Sequence, residues 1–183
     1  MDGMKNLVLA AVALSVGTVL ASASVSTVGK TAVAPVLDGR PDACYAASYA
    51  IGGFTYPGRM DLAKERTTIR FVHDGRRLYG FATCRQEMKG VPVATPVRQD
   101  GEIWRGNALE LFFVTSDGMR YFSFGPSGSV GWLRAHQDEA YRWVHEPNPA
   151  SDVQVKAARD ADAWFVEFSV PLDELPGSVW DFL

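Results

Sequence analysis

Beyond its apolar N-terminus, the chain carries a hydrophobic period of two rather than three and a half. The stretch "TTIRFVHDGRRLYGFATC" holds two runs of β-branched and aromatic residues around Asp74-Gly75, a dipeptide that tolerates the positive φ of a tight turn. This predicts strands near 67–73 and 77–84. The same grammar recurs in "ALELFFVTSDGMRYFSFG" around Asp117-Gly118, and in "DVQVKAARDADAWFVEFSVP" around Asp160 to Asp162. Three hairpins in succession suggest a meander. No long stretch repeats apolar residues at i, i+3, i+4 and i+7, so helix is expected only as a turn in "PLDELPG". Residues 86–103 read as a long connection between sheets. Residues 135–151 read as a second connection, with "YRWVH" as a short added strand. Many short antiparallel strands around one core predict an all-β sandwich of two sheets, jelly-roll or immunoglobulin-like.

The ends of the chain refine that picture. Lys5, the apolar run "LVLAAVALSVGTVLA" and the small-residue site "ASA" read as a signal peptide over 1–23. The run falls short of the roughly 20 residues that span a bilayer, so no stable membrane span is expected. A short linker over 24–32 then leads into one domain over 33–183, placed in a secreted or periplasmic compartment. The formal net charge of -3 is mild. Basic residues are scattered rather than gathered in a stripe, which argues against nucleic acid as a partner, and a monomer is expected.

Cysteine chemistry is limited to Cys44 and Cys84. In an oxidising compartment a bridge between them is the natural inference, contributing on the order of 4 kcal/mol in the chain-entropy model. Two buried free thiols are the alternative. Neither these thiols nor His73, His136 and His145 show metal-ligand spacing.

One stretch stands out chemically. In "EIWRGNALELFFV", read as a strand, Leu109, Leu111 and Phe113 point to one face and Trp104, Ala108, Glu110 and Phe112 to the other. An indole and a carboxylate thus share one face with aromatic bulk. A pyranose offers a matching surface, because its C–H face lies flat on an indole and its hydroxyls need charged acceptors and fixed donors. Trp104 would be the plate and Glu110 the acceptor, with Arg105, Asn107 and Tyr121 on the rim. Each has a structural alternative: Trp104 as a core or rim residue, and Glu110 as a solvated or protein-satisfied carboxylate. Glu167 is read as structural, and Trp132 and Trp143 as an exposed rim.

The order of "APVLDGRPDACYAAS", "TTIRFVHDGRRLYGFATC", "DGEIWRGNALELFF", "RYFSFGPSGSVGW" and "WFVEFSVPLDEL" resembles carbohydrate-binding module family 9, including the looser family 9-like domains of secreted bacterial proteins. The resemblance runs from about Val33 to Leu183. It implies a β-sandwich that binds a saccharide or polysaccharide and is accessory to the breakdown of plant or microbial glycans. Trp104 and Glu110 match the family's tryptophan and strand glutamate. Asn107 stands where an aspartate is usual, Gly125 where an asparagine is frequent, and Cys44-Tyr45 where a tryptophan is common, although cysteines at the positions of Cys44 and Cys84 occur in the family 9-like domains. After "PGSVWDFL" the family continues into further strands with a second binding tryptophan, so a shortened copy is expected, with Trp180 packed inward.

Catalysis is not expected. Glycoside hydrolysis needs two carboxylates set across a scissile bond, and no motif positions Glu110 with Glu167 or Asp173. No nucleophile elbow or phosphate loop occurs. Two other classes stay open. One is a b-type haem-binding periplasmic domain of related fold, for which Met88, Met119, His73 and His136 are available ligands, His73 and Met119 being read as exposed turn residues. The other is an interaction module that has kept the sandwich without sugar affinity. No cofactor is required. Structural calcium would use Asp38, Asp42, Asp160 and Asp162, which are first read as turn formers.

Overall fold

A computed structural model describes residues 8–9, 12–13, 28–55, 61–86, 97–98, 103–115, 118–146 and 150–175. In chain order the strands are β1 (Val8–Leu9), β2 (Val12–Ala13), β3 (Gly29–Lys30), β4 (Ala50–Ile51), β5 (Thr67–His73), β6 (Arg77–Arg85), β7 (Leu109–Thr115), β8 (Gly118–Phe124), β9 (Val130–Gln137), β10 (Trp143–His145), β11 (Gln154–Arg159) and β12 (Ala163–Pro171). One helical turn, α1 (Ala43–Ala46), precedes β4, and 3₁₀ turns occupy Ile103–Arg105 and Leu172–Glu174. The architecture is an all-β two-sheet sandwich. One sheet runs β7-β8-β9-β10 and the other β11-β12-β6-β5-β3, with β4 also on β5. Neighbours pair antiparallel except for the short β3 beside β5 and β1 and β2 beside β7. β1 and β2 fall within the segment read as a signal peptide. Trp180 and Met88 lie outside the described residues.

The three predicted hairpins form, but not as a meander. β5–β6 and β11–β12 share a sheet because β12 pairs with β6, whereas β7–β8 belongs to the opposite sheet. The reason is burial. Each hairpin has one apolar face, and placing β7–β8 across from the other two covers both faces at once. β9, which runs into the stretch read as a connection, extends this second sheet, joined to β8 by a turn closed by Gly125 N–H to Ser129 O at 2.9 Å.

Turn chemistry follows the aspartates. Asp74 Oδ1 accepts from Arg76 N at 2.7 Å and Arg77 N at 2.8 Å, and Gly75 takes φ +93°. Asp160 Oδ1 accepts from Asp162 N at 2.9 Å and Ala163 N at 2.8 Å. Asp38 and Asp42 similarly accept from Arg40 N and Val36 N, both at 2.7 Å. Of the four loop aspartates named as candidate calcium ligands, Asp38, Asp42 and Asp160 use their carboxylates to hold backbone N–H groups.

The core is an aromatic seam between the sheets. Phe168 of β12 stacks on Phe124 of β8 with centroids 4.5 Å apart and planes 18° from parallel, and meets Phe71 edge-on at 6.2 Å. Phe168 pairs across the strands with Gly80, and its ring fills the space a side chain there would need: a Cβ on Gly80 would lie 2.1 Å from Phe168 Cζ. At one edge a buried ion pair closes the seam. Arg120 Nη2 donates to Glu174 Oε2 at 2.6 Å and to Ala150 O at 2.9 Å, with the guanidinium 5.5 Å from the Phe122 ring centre. Burial alone would raise the Glu174 carboxyl, but Ser151, Arg120 and the Asp152 N–H together hold it below its ordinary value.

The outer face of the β12–β6–β5 sheet is covered by the chain's own residues 36–48. Glu167, fully buried on this face, accepts from Asp38 N at 3.0 Å, Gly39 N at 3.1 Å and Tyr45 OH at 3.1 Å. Tyr45 packs with Val72, Tyr79 and Phe81 beneath α1. Glu167 is therefore structural, as read from the sequence. The same layering corrects the disulfide. Cys84 faces the inter-sheet core with Leu78 and Ala82, whereas Cys44 lies against the cluster on the outside of that sheet. With a sheet between them the two cysteines are free thiols.

Three outcomes follow from this packing. Gly80→Ala should displace the Phe168 ring and cost about 3 kcal/mol, lowering the thermal midpoint by roughly 10 °C; an unchanged melt would mean the seam is slack. Titration of thiols in the unfolded, unreduced protein should find both cysteines reactive, while in the native state Cys84, whose thiol burial pushes up to about 12, stays silent. The third concerns Glu167. Burial pushes its carboxyl above the ordinary 4.5, and the hydrogen bonds from Asp38, Gly39 and Tyr45 bring it only part of the way back. The folded state thus holds this proton more tightly than the unfolded chain, so the group contributes stability below pH 4.5 that is lost as pH rises through its folded value. Melts from about pH 4 to about pH 8 should show Glu167→Gln gaining on the wild type as pH rises; a constant gap would contradict the assignment.

Candidate functional site

The β7-β8-β9-β10 sheet presents its other face away from the core. Strand alternation turns Leu109, Leu111 and Phe113 inward, which leaves Glu110, Phe112 and Val114 outward. Pairing aligns Glu110 with Ser123 and Gly131, and Phe112 with Tyr121 and Leu133, in rows across the sheet. Glu110 is 6% exposed and accepts the Tyr121 hydroxyl. Among the described residues Tyr121 is its one hydrogen-bond donor. Burial first, then the Glu110 carboxylate, raises the Tyr121 phenol above its ordinary value, so it remains a donor at neutral pH. The Tyr121 ring leans on Phe112 with centroids 4.8 Å apart.

Trp104 does not lie on the strand, as the alternation suggested. The strand begins at Leu109, and Trp104 sits on the preceding 3₁₀ turn, closed by Gly106 N–H to Ile103 O at 3.0 Å. Ile103 seats this turn close to the β8 end, where a Cβ on Gly125 would be 3.6 Å from its Cγ2. The Arg105 guanidinium lies 5.3 Å from the Trp104 ring centre, and Trp104 remains 44% exposed. Asn107 is half-buried and accepts from Gln86 Nε2 at 3.2 Å, in a small cleft with Thr67, Cys84 and Trp164 at the end of the sandwich. The structure thus groups the five expected residues as Trp104 with Arg105, Glu110 with Tyr121, and Asn107 with Gln86. Ser123 joins the Glu110 row through register alone, which no local sequence signal could have disclosed.

The remaining tryptophans separate clearly. Trp164 is buried in the core, and Trp132, contrary to its reading as an exposed rim residue, packs against the core with Arg98 5.5 Å from its ring centre, because its pairing with Phe122 turns it inward. Trp143 lies on the edge strand β10 and is exposed, as its rim reading expected. The candidate haem ligands are dispersed. His73 is buried on the inter-sheet side of β5, contrary to its reading as an exposed turn residue, and burial followed by nearby Lys30 lowers its imidazole pKa. Met119 is half-buried and lies outward on β8, so the β7-β8-β9-β10 sheet separates it from His73. His136 is exposed on β9.

No family model and no curated protein matches the chain. Solved structures do share its fold. A carbohydrate binding module family 9 domain from Caldicellulosiruptor kristjanssonii, in complex with glucose, is 12% identical and superposes with a TM-score of 0.54 over 83% of this chain and 71% of that one. The same module in complex with cellotriose gives 13% identity and a TM-score of 0.52 over 82% and 69%. A protein from Bacteroides uniformis is 16% identical, with a TM-score of 0.52 over 85% and 77%. The protein has the two-sheet β-sandwich fold of these domains.

Proposed function

We propose that this protein is an exported, non-catalytic saccharide-binding domain, accessory to the breakdown of plant or microbial polysaccharide, with its contacts on and beside the outer face of β7 and β8. The observation that carries this reading is Trp104. Its indole is held by a tight turn with Arg105 against it and still stands open to solvent, while Trp164 is buried in the core. Glu110 supplies an acceptor on β7, oriented by the Tyr121 hydroxyl that donates to it from β8, and Arg105 and Asn107 supply further polar groups around the turn. Fold likeness to modules solved with glucose and cellotriose supports the ligand class. The signal-like segment over 1–23 supports export, and no helix among the described residues is long and apolar enough to cross a membrane.

Energetics set the expected affinity. Covering about 100 Å² of one indole is worth about 2.5 kcal/mol. Millimolar binding requires about 4 kcal/mol, so one or two charge-assisted hydrogen bonds, at about 1.5–3 kcal/mol each, must complete it. A glycan array followed by calorimetry tests the reading. Trp104→Ala should abolish binding while shifting the thermal midpoint by no more than about 2 °C, since an exposed ring contributes little to the fold. An array silent across plant and microbial glycans, or a variant that melts early yet binds as before, would overturn it.

A further inference from the structure

The far corner of the same sheet carries aromatic rings that the fold does not use. Trp143 pairs across the strands with Gln137, and Gln137 shares its face with Ala135 and Leu133, so the Trp143 side chain stands on the outer face that Glu110 and Tyr121 occupy. It is 40% exposed. Two residues earlier, Tyr141 is 82% exposed and has φ +59°, the one non-glycine residue in the left-handed region among those described. An aromatic residue held there costs of order 1 kcal/mol. The turn nonetheless fixes it. Tyr141 N donates to Asp138 O, and Asp138 Oδ1 accepts from Ala140 N and Arg142 N, all at 2.9 Å, while Asp138 Oδ2 accepts from Arg142 Nε at 2.9 Å.

That conformation gains no packing for a ring left in water, so its use is sought outside the molecule. The setting is polar rather than aliphatic. Gln137 lies opposite Trp143 and His145 shares its face two residues along the strand, so planar hydrogen-bonding groups accompany the ring, the mixture that suits a pyranose better than an apolar protein surface. From the Glu110 row to Trp143 the register counts three strand spacings across and six residues along, which is about 14 Å by about 20 Å, or about 25 Å on the diagonal. Half-buried Phe112, Leu133 and Met119 line the ground between.

We propose that Tyr141 and Trp143 form a second aromatic contact for the same ligand class, engaging a sugar several units along a polysaccharide chain whose other contact is at Trp104 and Glu110. This rests on the saccharide reading above and adds that the ligand is a chain rather than a single sugar. Two contacts on one chain act in concert, because the second forms at the high effective concentration set by the first.

Calorimetry with cellotriose and cellohexaose on the full chain tests it. Wild type should bind the hexamer at least about tenfold tighter than the trimer. Tyr141→Asn combined with Trp143→Ala should bring the hexamer down to the trimer's affinity and leave the trimer unchanged; asparagine is chosen because it accepts the left-handed backbone and keeps the turn. Trp104→Ala should lose the trimer. Equal wild-type affinity for trimer and hexamer, or a double variant that keeps the tighter hexamer binding, overturns the second contact while the saccharide reading stands. Wild type that binds neither overturns both for this class of glycan.

Discussion

The sandwich depends on one ring lying on a bare backbone. Phe168 occupies the space above Gly80, its partner on β6, and from that seat reaches across to stack on Phe124 of the other sheet. Because side chains alternate along a strand, fixing Phe168 and Phe124 inward fixes everything beside them outward. Glu167 must then leave the core on one side, and Ser123, Tyr121 and, across the pairing, Glu110 on the other. The composition of both outer faces is a consequence of parity set at the seam.

Two glutamates on those faces met different fates. Glu167 lies under a strap of the chain's own N-terminal residues, which bring two backbone N–H groups and a phenol to its oxygens. It is satisfied internally and pins that strap. Glu110 receives the Tyr121 phenol on a face that the same strap does not reach. A carboxylate buried with a full set of donors is architecture; one with a single described donor, on a surface carrying open aromatic rings, keeps capacity for hydroxyls from elsewhere.

The tryptophans tell a parallel story. Among the described tryptophans one indole is core, one is core margin beside an arginine, and two stand in solvent, at Trp104 and Trp143. Exposed single hydrophobes are ordinary on a protein surface. Here each belongs to a turn or edge strand tied down by its own hydrogen bonds, so the backbone that carries each ring is ordered before any contact.

Much of the fold was legible in local pattern. The period-two runs gave β5 and β6 nearly to the residue and located β7, β8, β11 and β12 within their hairpin stretches, and the turns at Asp74 and Asp160 are closed by those aspartates' own oxygens. The apolar alternation of β7 also placed Glu110 outward. It misplaced Trp104, because a 3₁₀ turn and a strand start differ by a few residues that carry no periodic signal. It did not show that β12 pairs with β6, that Cys44 and Cys84 lie on opposite sides of a sheet, or that His73 is buried. Sequence alone determined which residues alternate and where the chain turns, since those depend on neighbours along the backbone. Which hairpin joined which sheet, and hence which glutamate the chain's own strap sealed with donors, was decided only by the tertiary structure, because pairing and stacking depend on residues far apart in the chain.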